Sequence, residues 1–476
     1  RQGRVEGEAM WQQMTSRRQA LSQSAVGFGW LAASALLNRA TAAEGPASFR
    51  IPARARRVIF MFMKGGPSQV DTFDPKPKLD ADHGKELPFA KPRVQFAKTG
   101  VLLKSPWKFR QYGESGCPVS ELFPHVARHV DDICFLHGVH GTNAAHGGAA
   151  LKLHTGSDTF VRPGMGAWVN YGLGTENENL PGFLTICPTL AHGGVNNWGA
   201  AFLPAECQGV PMGVASRPAS EAAVKYIANP RLSPNVQRRQ LAMLRDLAGS
   251  RIAGEAAAAA EPLVDAQLKS FELAFRMQTE LPEIQDLSGE TAETLALYGI
   301  GDAVTDDFGR QCLLARRFAE AGVRFIQVTH SDSKVQWDQH ANLREGHAEK
   351  AAEVDKPIAG LLADLKRRGL LEDTLLLWGG EFGRTPVAEA TDNGRDHNPE
   401  GFTMWMAGGG VRGGFRYGST DDYGYYATEN AMHIHDVHAT MLALLGIDHE
   451  QLTYRYAGRD FRLTDVAGKV HTAIFA

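Results

Sequence analysis

Leu375-Leu376-Leu377-Trp378-Gly379-Gly380-Glu381-Phe382-Gly383-Arg384-Thr385-Pro386 opens with four apolar residues that two glycines stop at once. A short, uniformly apolar run cut off in this way predicts a central strand buried on both faces. Glu381 and Arg384 follow immediately. In an open α/β sheet that is the carboxyl edge, where ligands bind. Gly394-Arg395-Asp396-His397 then lead into a second apolar run, Phe402 to Ala407, closed by Gly408, Gly409 and Gly410. An isolated charge beside a strand is ordinarily just solvated. Polar groups gathered at the ends of two neighbouring buried strands point to a site.

The same pattern recurs outward from this stretch. Val58 to Met63 is a continuous apolar run ended by Lys64-Gly65-Gly66-Pro67-Ser68, with Asp71 and Asp74 in the following loop. Ile133 to Leu136 and Val323 to Val328 read as further strands, the latter followed by His330, Trp337, Asp338 and His340. Helical spacing runs through Leu122 to Val130, Asp306 to Ala321, Val354 to Arg368, and Val437 to Leu445 before Gly446, with His435 at the start of the last. A further helix opens at His146, after a stretch dense in glycine and histidine, and its free N–H groups favour an anion. Strands alternating with helices, polar only at their ends, predict a mostly parallel sheet with helices on both faces. Asp338, His340, Glu381, Asp396, His397 and His435 are expected to converge at its carboxyl edge. From about 190 to 300 the chain reads as a mainly helical insertion. The apolar segment after Tyr454 is expected to add an edge strand.

Lys plus Arg number 50 against 53 Asp plus Glu, and the pI is near 6.7, so no global field favours nucleic acid or an anionic membrane. The five cysteines lack CxxC spacing, which argues against a thiolate metal site and leaves one or two disulfides possible. Cys312 falls in a helical pattern and is expected to be buried. Arg17-Arg18, a weakly apolar segment from Ala25 to Leu37, and Ala40-Thr41-Ala42 read as a twin-arginine export signal over residues 1–43. That predicts a periplasmic or extracellular single domain over 44–476. No run reaches the roughly 18 apolar residues of a transmembrane helix.

Two strings carry a resemblance. Gly65-Gly66-Pro67-Ser68, with Asp71-Thr72-Phe73-Asp74-Pro75-Lys76-Pro77, and Gly380-Glu381-Phe382-Gly383-Arg384-Thr385-Pro386 resemble the exported bacterial family called domain of unknown function 1501. Val437 to Ile447 and Val354 to Leu365 are similar to core helices of the alkaline phosphatase/sulfatase superfamily, which implies an alkaline-phosphatase-like three-layer sandwich. The resemblance departs from that superfamily in places that matter. Lys64 stands where the first metal-binding Asp is expected, and Asp71 would have to move in from its loop. His146 occupies the nucleophile position, and Glu381-Phe382 replaces an Asp-His pair. Asp338, His340 and His397 match metal ligands.

Those three residues supply nitrogen and oxygen donors for one divalent ion, Zn or Mn, with Ca or Mg left open. Asp71, Glu381, Asp396 and His435 are additional candidate ligands. Lys64 would place a fixed charge, partnered by Glu381, where a second cation would sit. His146 is read as nucleophile, general acid or base, or ligand. Arg384 or Arg395 would clamp a tetrahedral anion. The reading is an exported metal-dependent hydrolase of phosphate or sulfate esters, acting on an anionic ester or glycan. The alternative is a non-catalytic relative that binds a metal, a glycan or a partner.

Overall fold

The computed structural model describes residues 50–90, 98–225, 227, 229–250, 261–331, 336–389 and 393–476. The export signal expected over 1–43 lies outside the described residues. The central sheet contains β1 (Arg57–Met63), β2 (Ile133–His140), β3 (Phe183–Ile186), β4 (Val210–Met212), β5 (Phe325–His330), β6 (Thr374–Gly379), β7 (Phe402–Ala407), β8 (Phe415–Tyr417) and β9 (Met432–His433). Its order is β8-β2-β7-β6-β1-β5-β3-β4, with β9 also paired to β2. β1 lies parallel between β5 and β6, while β7 runs antiparallel to both β6 and β2.

The alternation along β1 explains its unbroken apolarity. Ile59, Met61 and Met63 enter one core with α5 (Asp306–Glu320) and α6 (Leu343–Arg367). Val58, Phe60 and Phe62 enter the other, with α1 (His146–Thr155), α2 (Met165–Leu173) and α7 (Ile434–Leu444). Both faces of the strand are therefore covered, and each fully buried large side chain stabilises the fold by roughly 1.5–3 kcal/mol. The result is the expected three-layer sandwich around a mostly parallel sheet. Aspartates in the first turn of α5 and the His433/Asp436 capping box of α7 fix where those helices begin.

Several expectations are corrected. The segment from Leu122 to Val130 forms a short 3-10 helix at Val126–Asp132, with its start held by Asp355, whose carboxylate accepts from His125 and Val126 N–H at 2.9 and 2.8 Å. The span read as a mainly helical insertion holds α3 (Pro234–Ser250) and α4 (Glu261–Gln285), but it also contributes β4 to the edge of the main sheet. The tail closes in a 3-10 turn, Thr472–Ile474, with a single bridge from Phe475 to Val411, because no long edge lies beside it to pair with. All five cysteines are buried and free, so the possible disulfides are absent. Among the described residues no helix is long and apolar enough to cross a membrane.

Candidate metal centre

The reversal of β7 is what gathers the site. Because β7 runs against β6, the segment that precedes it arrives at the carboxyl ends of β1, β5 and β6. Arg395–Asn398 pairs there with Gly383–Glu389, setting His397 opposite Arg384. Gly65, at φ +107°, ends β1 so tightly that a Cβ would come within 2.8 Å of the backbone nitrogens of Trp337 and Asp338. Only glycine allows both the left-handed turn and that approach. Trp337 is fully buried and donates its indole N–H to His330 Nδ1 at 3.1 Å, so Asp338 emerges from a fixed anchor.

Asp338 is the hub. Its Oδ1 lies 2.9 Å from His340 Nε2, 3.0 Å from His397 Nε2 and 2.7 Å from Arg384 Nη2. Its Oδ2 lies 3.1 Å from His146 Nε2. Burial alone would raise its pKa, but the three histidines and Arg384 hold the carboxyl well below the usual range.

The far nitrogen of each ring is already engaged. His146 Nδ1 donates to Glu381 Oε1 at 2.6 Å, His340 Nδ1 to Glu389, and His397 Nδ1 to the Ala144 carbonyl at 2.6 Å. A carbonyl or carboxylate oxygen only accepts, so each Nδ1 carries a proton and each Nε2 is left as the inward-facing atom. For His397 the consequence is sharp. Burial foremost, with the nearby Arg384, lowers its pKa against the pull of Asp338, whose Oδ1 lies 3.0 Å from its Nε2, and His340 Nε2 lies 3.0 Å from the same nitrogen. Three imidazole nitrogens thus crowd one carboxylate, an arrangement that a single cation can bridge. His146 Nε2 is buried and, although 3.1 Å from Asp338, makes no well-aligned hydrogen bond. For His146 burial lowers the pKa, yet the facing carboxylates of Asp338 and Glu381 raise it on balance, and Asp338 foremost raises that of His340. Without an ion the site therefore takes up protons that an ion would displace.

The donor set fits one divalent ion. Nitrogen and oxygen donors separated by 2.9 to 3.1 Å approach the roughly 3.3 Å edge of a tetrahedron with bonds of about 2 Å. Two overlapping ligand groups occur, His146 with Asp338 and His397, and His340 with Asp396 and His397. Both share His397, and His340 also lies 2.9 Å from Asp338, so the two groups adjoin. Asp396 Oδ1 accepts from the His397 backbone N–H at 2.7 Å and steadies that residue.

The remaining sequence candidates are placed differently. Glu381 is buried and accepts from Gly65 N–H at 3.0 and 3.1 Å, so it orients His146 and leaves the ion to others. Lys64 Nζ donates to Gln336 at 2.8 Å; its charge helps lower the pKa of Glu381, after burial and His146 have acted. Asp71 is bound by Arg395 at 2.7 and 3.1 Å and by Ser68 at 2.5 Å, which keeps it in its own loop. Arg384 and Arg395 are fully buried, and their donors are used inward. Arg384 binds the Gly65, Gly66 and Arg395 carbonyls as well as Asp338, and Arg395 binds Asp71, Thr385 and Leu103. Neither reaches out to clamp an anion. His435 sits at the opposite end of α1, its Nε2 donating to Gly156 O at 2.7 Å, about 15 Å from His146 along a ten-residue helix.

Two site residues escaped the sequence reading. His192 stacks on His146 with centroids 4.8 Å apart and planes 6° from parallel, in a left-handed conformation (φ 53°) fixed by Asn197, which donates to its carbonyl at 3.1 Å. Glu389 orients His340 from the end of its strand. A histidine among small residues, Ala191-His192-Gly193-Gly194, was the available signal for the first. Alternation along a strand is too common to single out the second. With Ala145, His146, Gly147, Asp338, His340 and His397 they line a cavity of about 570 Å³. Phe382 walls it from below, packing on His146 and His397 at 4.8 and 4.4 Å.

The model of the family described as protein of unknown function, DUF1501, matches residues 55–475. This chain belongs to the DUF1501 family. Among curated proteins none matches it. Solved structures similar to it include the PsFucS1 sulfatase from Pseudoalteromonas sp., at 13% identity and TM-score 0.39, covering 89% of this chain and 72% of that one. The lipoteichoic acid synthase LtaP from Listeria monocytogenes matches at 10% identity and TM-score 0.33, covering 86% and 76%. Alkaline phosphatase from the Antarctic bacterium TAB5 matches at 9% identity and TM-score 0.33, covering 82% and 98%.

Proposed function

We propose that this DUF1501 chain is an exported, metal-dependent hydrolase of phosphate or sulfate esters that holds one divalent ion on His146, Asp338, His340 and His397. The observation that carries the reading is the convergence of the His146, His340 and His397 Nε2 atoms on the one Asp338 carboxylate, at 2.9 to 3.1 Å. Zn or Mn suits these donors. Export is supported by Arg17-Arg18 and the Ala40-x-Ala42 pattern.

A bound ion supplies Lewis acidity toward the ester oxygen. The chain does the rest. Ala145, His146 and Gly147 bring the start of α1 to the cavity wall, where first-turn N–H groups favour the ester's negative oxygens. Glu381, Glu389 and the Ala144 carbonyl hold the three rings in one tautomer. Phe382 excludes water from beneath them. Among the described residues lining the cavity there is no serine, threonine or cysteine, which supports water as the attacking group and His146 as a ligand in this reading. The same lack of a hydroxyl or thiol favours the second reading, a protein that uses the ion to bind a glycan or partner.

Elemental analysis of the purified mature protein, alongside turnover of aryl sulfate and phosphate esters, separates the readings. Stoichiometric metal with turnover supports the hydrolase. Metal without turnover of any ester supports the binding protein, and a wild-type protein that takes up no metal overturns both.

A further inference from the structure

Among the described residues the cavity wall holds four histidines and two carboxylates but no lysine or arginine. That is unusual for a site expected to receive a tetrahedral anion, which proteins commonly clamp with a guanidinium. The two arginines nearest in sequence are spent inside the fold, on Asp338 and on Asp71. Among the described residues, four carboxylates surround the site, Asp338, Glu381, Glu389 and Asp396, against the two cations Lys64 and Arg384. The excess is two negative charges, and one divalent ion cancels it.

From this balance we infer that the site takes esters carrying a single negative charge, the monoanionic tetrahedral group common to sulfate monoesters and phosphate diesters, and discriminates against phosphate monoester dianions. The inference rests on the metal-dependent ester hydrolase reading and sharpens its substrate. In a neutralised cavity a monoanion gains the ion and the start of α1 without surplus charge. A dianion brings a second charge to within a few ångströms of Asp338 and Glu389, with no guanidinium to meet it, and like charges at that range repel strongly where water is scarce. Glu389 is the selective element, because it faces the cavity and its charge is not needed to accept the His340 proton.

The test is calorimetric binding to the metal-loaded mature protein. Benzylphosphonate loses its second proton near neutral pH, whereas phenylmethanesulfonate stays a monoanion and reports any pH dependence of the site itself. Relative to the sulfonate, benzylphosphonate should bind about tenfold or more weakly at about pH 8.5 than at about pH 6, and Glu389→Gln should remove most of that loss. Tighter binding of the dianion, or discrimination unchanged in Glu389→Gln, overturns the inference. Turnover of para-nitrophenyl sulfate, para-nitrophenyl methyl phosphate and para-nitrophenyl phosphate completes the comparison. The first two distinguish the sources of the monoanion, and either should exceed the third. If para-nitrophenyl phosphate is the best substrate, the charge inference fails while the hydrolase reading stands. If all three are inert, the hydrolase reading fails, and the binding order still decides the charge preference.

Discussion

Arg384 reaches Asp338 Oδ1 at 2.7 Å from the interior, on the side away from the cavity. The same guanidinium binds the carbonyls of Gly65, Gly66 and Arg395, so one side chain ties the end of β1 to the strand carrying His397 and turns the Asp338 carboxylate toward the histidines. Arg384→Ala should leave a part-buried carboxylate and three carbonyls without their donor and cost about 3 kcal/mol, the lower end for a broken buried pair. Arg384→Lys offers one nitrogen for four acceptors and should recover little of it. Urea unfolding measures both; a loss below about 1 kcal/mol for the alanine variant would contradict this tethering role.

His146 and His435 stand at opposite ends of α1, and their alanine variants should behave differently. His146→Ala removes a nitrogen aimed at Asp338, so metal affinity should fall by more than the roughly 10-fold to 100-fold seen when only an outer partner of a metal ligand is lost. His435→Ala loses a buried bond to the Gly156 carbonyl and should cost about 1–3 kcal/mol of stability with metal content unchanged. Metal analysis and thermal unfolding of the two proteins check the contrast. Equal metal content in both would remove His146 from the ligand set.

Acid should destabilise the fold through buried histidines that do not line the cavity. Burial holds His137 and His154 down to about 4, and His347 and His438 down to about 3. Each is neutral when folded, while the unfolded residue takes up a proton near pH 6.5. Their contribution is therefore complete above about pH 6.5 and lost as pH falls toward 4, at about 1.4 kcal/mol per pH unit for each group once the unfolded residue is protonated. Urea titrations between about pH 7 and pH 4.5 should give a midpoint that drops steadily. A flat midpoint would show these rings to be already charged inside the protein.

Much of the centre was legible because strand ends are conspicuous. Asp338, His340 and His397 follow or precede apolar runs, and the reversal of β7 does not disturb their meeting, since the residues before a reversed strand reach the same edge as those after a forward one. The direction of a guanidinium was not legible. Whether Arg384 faces a cavity or turns inward depends on carbonyls at Gly65 and Gly66, more than 300 residues earlier in the chain. His435 was misplaced for a simpler reason. It packs against α1, but at the far end of a helix whose length spacing alone does not map onto the site.

Export provides a separate test. Replacing both Arg17 and Arg18 by lysine should leave the precursor in the cytoplasm, as seen by fractionation and immunoblotting of cells producing the full chain. Undiminished export of that double variant would argue against the twin-arginine route.

The placement of β7 also dictates the order in which this protein can be completed. Among the described residues it is the only strand that joins β2 and its neighbours to β6 and the rest of the sheet. A nascent chain that has not yet supplied residues 402–407 therefore carries two open sheet edges, one formed early and one late, each with unpaired backbone groups able to recruit another chain. Closure requires β7 to pair with β2, whose partners lie from 263 (Phe402 with Val139) to 274 (Ala407 with Ile133) residues away, the kind of long-range pairing that makes folding slow. His397 lies just ahead of this seam, so the candidate site is brought together only when β7 joins the two halves of the sheet.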